Sequence, residues 1–94
     1  MIPIHPGRIL KRELTARKLS AEHLSLALHA PLKTITNLLD QRASITPELA
    51  LRLSHFLGTS PEFWLNLEAR YGLALVERER GAVINAEVRP AEAH

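Results

Sequence analysis

The sequence predicts an all-α, compact domain of five to six helices built around a central helix-turn-helix, and three observations carry that prediction. Residues 19–46 read as two short amphipathic helices split by a tight turn. Apolar residues elsewhere recur at helical rather than alternating spacing. Start and stop signals divide the chain into segments joined by short connections. At 94 residues the chain makes one small domain, too short for a large cleft together with a second domain.

The elements follow in order. His5-Pro6-Gly7 opens a first helix to about Arg17, with Ile9, Leu10 and Leu14 as its core stripe, Arg8, Lys11 and Arg12 on other faces, and Lys18-Leu19 closing it. The second runs from about Ala21 to Leu28. Ser20 is its N-cap, because a hydroxyl can accept from the free N–H groups of the first turn, and Glu22 suits the positive helix end. Leu24, Ala27 and Leu28 form one apolar stripe. The chain turns at His29-Ala30, and Pro31 takes the first helical position of a third segment carrying Ile35, Leu38 and Leu39 inward.

A fourth helix begins after Thr46, an N-cap followed by Pro47 and Glu48. Leu49, Leu53, Phe56 and Leu57 give it an inward face, and Gly58 ends it. Ser60-Pro61-Glu62 repeats the start signal for a fifth helix bearing Phe63, Trp64, Leu67 and Tyr71, with its stop at Gly72. Beyond it Leu73, Leu75 and Val76 are apolar and Glu77 to Arg80 alternate in sign, so a helix continues or restarts until Gly81 breaks it. Val83, Ile84 and Val88 are expected in a short strand or in an extension packed on helix five or on a second copy, with fraying from Pro90. Residues 1–75 thus form the helix-turn-helix domain, and 76–94 an extension for dimerisation or partner contact.

Composition removes several function classes. The chain has no cysteine, which excludes disulfide scaffolds, thiolate zinc sites and cysteine nucleophiles and is compatible with a reducing compartment. The stretch MIPIHPGRIL lacks the apolar run of a signal peptide, and nothing approaches the roughly 18 apolar residues of a membrane span. A cytoplasmic protein without membrane contact is the expectation. His23 and His29 lie six residues apart across a turn, which is not a helical metal pair, and no HExxH motif occurs. Ser54 and His55 are adjacent and diverge on a helix, and no glycine-rich phosphate loop is present, so catalysis is not expected.

The third helix carries the functional reading. Lys33, Thr34, Thr36 and Asn37 fall between its core positions and face outward. A helix fits the major groove of B-DNA, where Asn37 can pair bidentately with adenine, Thr34 and Thr36 can bond a base or touch a thymine methyl, and Lys33 can reach guanine or a phosphate. Leu32, near the helix start, offers only van der Waals contact, and Arg42 suits the backbone. Charge agrees: residues 1–45 hold seven Lys or Arg against three acids, or +4, whereas 46–94 hold five against seven, or −2. A basic half that coincides with the reading unit favours phosphate attraction. The competing reading of each feature is an ordinary solvated helix face.

Phe63 and Trp64 are neighbours and so point about 100° apart on a helix. One is expected to fill the core while the other lies near a subunit contact. A tryptophan is a good interface anchor, so Phe63, Trp64, Leu67 and Tyr71 together form the expected core and dimer surface.

The pieces HPGRILKRE (5–13), LSAEHLSLAL (19–28) and ITPELALRLSHFLGTSPEFWLNLEARYGL (45–73) resemble the HigA family of antitoxins, which have a cro/C1-type, lambda repressor-like helix-turn-helix. The sharpest element is GTSPEFWLNLE at 58–68, and the resemblance spans roughly 5–75. It implies an antitoxin that neutralises a HigB-like toxin, a ribosome-associated mRNA endonuclease, and that represses its own operon as a homodimer on a palindromic operator DNA. No cofactor and no metal are expected from the motifs present. The chain departs from the family where His29 and Gln41 replace turn glycines. Ala21 also stands where the wider group has a phosphate-binding glutamine, which leaves Ser20 as the substitute. Two further readings stay open: a toxin-sequestering module with little DNA affinity, and a solitary repressor.

Overall fold

A computed structural model describes residues 3–91, which form five helices and no strand: α1 (Pro6–Arg17), α2 (Ala21–Leu28), α3 (Leu32–Leu39), α4 (Pro47–Leu57) and α5 (Pro61–Glu87). The all-α expectation is met at its lower helix count.

Each helix starts where a side chain can satisfy its free N–H groups, α3 excepted. Ser20, Thr46 and Ser60 accept from the N–H groups of His23, Leu49 and Phe63 at 3.0–3.2 Å. The buried His5 caps α1, its Nδ1 accepting from Gly7 N–H at 2.9 Å. Pro6, Pro47 and Pro61 each open the first turn after these caps. Pro31 differs from the expectation. Its ψ of 141° is extended and its carbonyl accepts from Thr34 and Ile35, so it is the residue before α3 and not the first within it.

Helix ends are closed by a recurring backbone device. Leu19 N–H donates to Leu14 O, Ala30 N–H to Ser25 O and Arg42 N–H to Asn37 O, each paired with a shorter-range bond from the preceding residue. These are Schellman turns, and the residue that must turn left-handed in them is Lys18, His29 and Gln41, with φ of 58°, 53° and 62°. The positions His29 and Gln41 are those where the resembled family carries glycine.

The core joins Leu10 and Leu14 of α1, Leu24 and Leu28 of α2, Ile35 and Leu38 of α3, Ile45 of the connecting loop, Leu49, Leu53 and Leu57 of α4, and Trp64 of α5. Two arginines tie helix ends across this core. Arg17 Nη2 donates to Leu57 O at 3.0 Å and Arg52 Nη1 to Leu28 O at 2.9 Å, each placing a cation on a helix C-terminus. Glu68 Oε1 accepts from Ile45 N–H at 2.8 Å, fixing the α3–α4 loop to α5. The N-terminus of α1 lies so close to α3 that a Cβ on Gly7 would overlap the Leu38 carbonyl.

Several expectations are corrected. Phe56 is exposed, not inward, because the small Ala50 and Ser54 are buried and turn α4 toward their side, leaving Phe56 at the rim beside His23. Leu39 is only half-buried. Gly72 does not stop α5 and Gly81 does not break it: a glycine stop needs the left-handed conformation, which among the described glycines Gly58 alone adopts. Val83 and Ile84 accordingly lie in the helix, not in a strand, and Val88 follows it in extended backbone. The stretch expected to fray from Pro90 falls partly outside the described residues, and α5 crosses position 75 without interruption. No helix among the described residues is long and apolar enough to cross a membrane.

Candidate nucleic-acid interface

The buried Ile35 and Leu38 set the direction in which α3 faces the core. With about 100° per residue, Lys33 and Asp40 point almost directly away from it, Thr36 and Asn37 lie within about 50° on either side, and Leu32 and Thr34 mark the two edges. Lys33 is exposed and Leu32 is 42% exposed, whereas Thr34, Thr36 and Asn37 are half-buried within the single chain. None of the three short polar side chains is occluded.

Their hydrogen bonding shows what each has left to offer. Thr36 Oγ1 donates to Lys33 O at 3.2 Å, so its hydroxyl hydrogen is used and its methyl and lone pair remain. Among the described residues no side-chain hydrogen bond or ion pair engages the Asn37 amide or the Lys33 ammonium. Asn37 keeps the donor and acceptor pair that an adenine edge requires. Thr34 sits at the mouth of a groove of about 470 Å³ formed with His29, Pro31, Pro47 and Arg52, so it is displaced toward α4 relative to its three neighbours.

Two polar residues expected to flank the outward face of α3 are Ser20 and Arg42. The Ser20 hydroxyl oxygen accepts the α2 cap bond, which leaves its hydrogen free for a phosphate oxygen at the helix N-terminus. Arg42 is exposed directly after the left-handed Gln41, beyond the C-terminal end of α3. The turn between α2 and α3 is held by the Ser25 hydroxyl, which donates to Ala30 O at 2.6 Å. Asp40 is the residue that sequence reasoning missed. Its i+7 spacing from Lys33 was the available signal, and it sets an acceptor-only carboxylate among the outward groups, suited to a cytosine amino group and unsuited to a phosphate.

The expected aromatic surface divides into a buried and an exposed ring. Trp64 is fully buried, its Nε1–H donating to Thr59 Oγ1 at 2.7 Å, and Phe63 packs edge-on against it at 5.0 Å while staying 42% exposed. Leu67 packs on the same core, and Tyr71 meets His5 edge-on at 4.8 Å. Trp64 is therefore the core member of the pair and cannot anchor a second subunit, because its ring and its polar atom are both satisfied within the chain. The exposed apolar surface lies farther along α5, at Leu73, Val76, Val83 and Ile84. At 100° per residue these four fall within about 100° of one another, on the side of the helix opposite Trp64 and Tyr71.

No protein-family model matches the chain. Virulence-associated protein I of Dichelobacter nodosus is 36% identical over 84 residues, 88% of this chain and 78% of that protein. A Pseudomonas aeruginosa antitoxin HigA solved with the higBA promoter is 34% identical with a TM-score of 0.91, over 96% of this chain and 99% of that one. An addiction-module antidote protein of the HigA family from Coxiella burnetii superposes with a TM-score of 0.93 at 44% identity, over 97% of this chain and all of that one. Five helices in the same arrangement and identity of this extent over nearly the full length lead to one conclusion: the chain belongs to the HigA family of helix-turn-helix antitoxins.

Proposed function

We propose that this protein is a non-catalytic cytoplasmic antitoxin that binds the operator DNA of its own operon as a homodimer and neutralises a HigB-like toxin. The observation that carries the DNA reading is the outward face of α3, where Lys33 and Asn37 keep their polar atoms free between two rigid backbone turns. Such a helix enters the major groove with its first residues against base edges, Thr34 and Thr36 adding hydroxyl or methyl contacts and Leu32 an apolar one. Ser20 and Arg42 hold the backbone on either flank. The likeness to the Pseudomonas antitoxin solved with promoter DNA supports this assignment.

The dimer rests on α5. Leu73, Val76, Val83 and Ile84 present an apolar stripe on a helix of 27 residues that extends past the bundle, with Phe63 exposed near its start. Exposed apolar residues aligned on one face mark a protein contact, and a second copy of the same helix buries them symmetrically. In the dimer the two α3 helices stand about 34 Å apart or a multiple of it, so that both reach one face of the duplex. Toxin neutralisation is supported by family membership. The reading as a sequestering module with little DNA affinity is favoured by Ala21, which cannot bind phosphate through its side chain, by Leu32, 42% exposed at the edge of the outward face, and by the low net charge of +2.

A gel-shift series with the DNA upstream of the gene, repeated at rising salt, tests the repressor role. Specific retardation that weakens steeply with salt is expected; equal affinity for random duplex refutes sequence reading. Co-expression with the neighbouring open reading frame tests the antitoxin role. A stable complex and relief of growth arrest are the expected results.

A further inference from the structure

The operator reading leaves unused a basic groove outside the helix-turn-helix. Arg8, Lys11 and Arg12 sit at i, i+3 and i+4 on the solvent side of α1, all exposed, and with Leu39 and Gln41 they line a groove of about 570 Å³. That groove opens beside the C-terminal end of α3. Leu39 is the last residue of the reading helix, and Gln41 is the left-handed residue of the turn that carries Arg42.

We infer that Arg8, Lys11 and Arg12 form a second backbone clamp for duplex DNA, holding phosphates next to those reached by Arg42. This rests on the operator reading and extends it to an element outside the helix-turn-helix. Three observations support it. The two arginines that serve the fold, Arg17 and Arg52, each bond a carboxylate and a helix-end carbonyl, whereas among the described residues no ion pair or hydrogen bond engages the side-chain nitrogens of Arg8, Lys11 or Arg12. Glu13, the acid of α1, is held by Arg17 at 3.2 Å, so it does not neutralise the stripe. The groove is continuous with the α3 C-terminus, so a duplex seated on α3 has a strand within reach of long cationic side chains on that flank. Uncompensated cations lining a groove beside a reading helix suit a polyanion, and Gln41 adds an amide donor there.

The test compares wild-type protein, Arg8→Gln/Lys11→Gln/Arg12→Gln and Arg8→Lys/Arg12→Lys by fluorescence anisotropy on operator and random duplexes across a salt series, with thermal melts confirming the fold. The glutamine variant should bind both duplexes more weakly, and its slope of log K against log[salt] should be smaller by about 0.9 for each phosphate it no longer neutralises. The ratio of operator to random affinity should stay unchanged, because phosphates carry no sequence, and the lysine variant should keep the wild-type slope. An unaltered slope in a folded glutamine variant overturns the clamp and leaves the operator reading standing. A wild-type protein that binds neither duplex overturns both.

Discussion

Asn37 stands on the outward face of α3 with its amide free, while Arg42 stands beyond the turn, and the two positions differ in what their removal should do. Asn37→Ala is expected to cost about 1–3 kcal/mol of operator affinity and to relax preference at one base position, read by binding to a panel of single-substituted operators. Arg42→Ala should weaken every duplex alike and lower the salt slope by about 1. Gln41 holds a φ of 62°, a conformation that costs a side-chain-bearing residue about 1–2 kcal/mol and glycine little. After the extra chain entropy of glycine, Gln41→Gly should raise stability by about 0.5–1 kcal/mol in denaturant unfolding. The residue types at these sites were legible in the sequence. The use of the Thr36 hydroxyl by Lys33 O was not, because it depends on which rotamer the threonine takes, nor was the sideways position of Thr34, which depends on how α4 packs beside α3.

At the scale of elements, caps and periodicity located all five helix starts to within one residue. The shift at Pro31 arises because proline fixes φ but leaves ψ free, so it can precede a helix as readily as open one. Gly72 and Gly81 misled because glycine is a stop only when the chain turns left-handed at it. In a helix already carried by Leu, Ala, Glu and Arg, each glycine costs only about 1 kcal/mol. The aromatic pair was split between core and surface as adjacency requires, but which ring is buried was decided by the packing of α5 on the core, with the Thr59 hydroxyl accepting from the buried Trp64 indole. Trp64→Ala should therefore lower stability by about 3–5 kcal/mol in chemical denaturation, and Phe63→Ala by much less, since Phe63 has less buried area to give up.

At the scale of the whole molecule, α5 gives the chain its elongated form, with principal extents of 53 × 26 × 22 Å. One side of that helix completes the core through Trp64 and Leu67, and the other carries Leu73, Val76, Val83 and Ile84 into solvent. The substitutions Val76→Glu and Val83→Glu, made together, should leave the monomer fold intact by circular dichroism while converting dimer to monomer in light scattering. Operator binding should then fall far more than random binding, because two half-sites are no longer engaged by one particle. A dimer that survives both charges excludes this face as the subunit contact.

The sequence alone determined the helix-turn-helix and the polar residues proposed for base contact, because caps, turn residues and apolar spacing are local properties that short segments express by themselves, and it pointed to the family through the resemblance carried by GTSPEFWLNLE at 58–68. Tertiary structure decided which of two neighbouring aromatics is buried, that α5 runs unbroken through two glycines, and that three α1 cations open onto the flank of α3. Those outcomes depend on how separate helices rotate and approach one another. That is settled by the filling of a shared core, and no single segment contains the information.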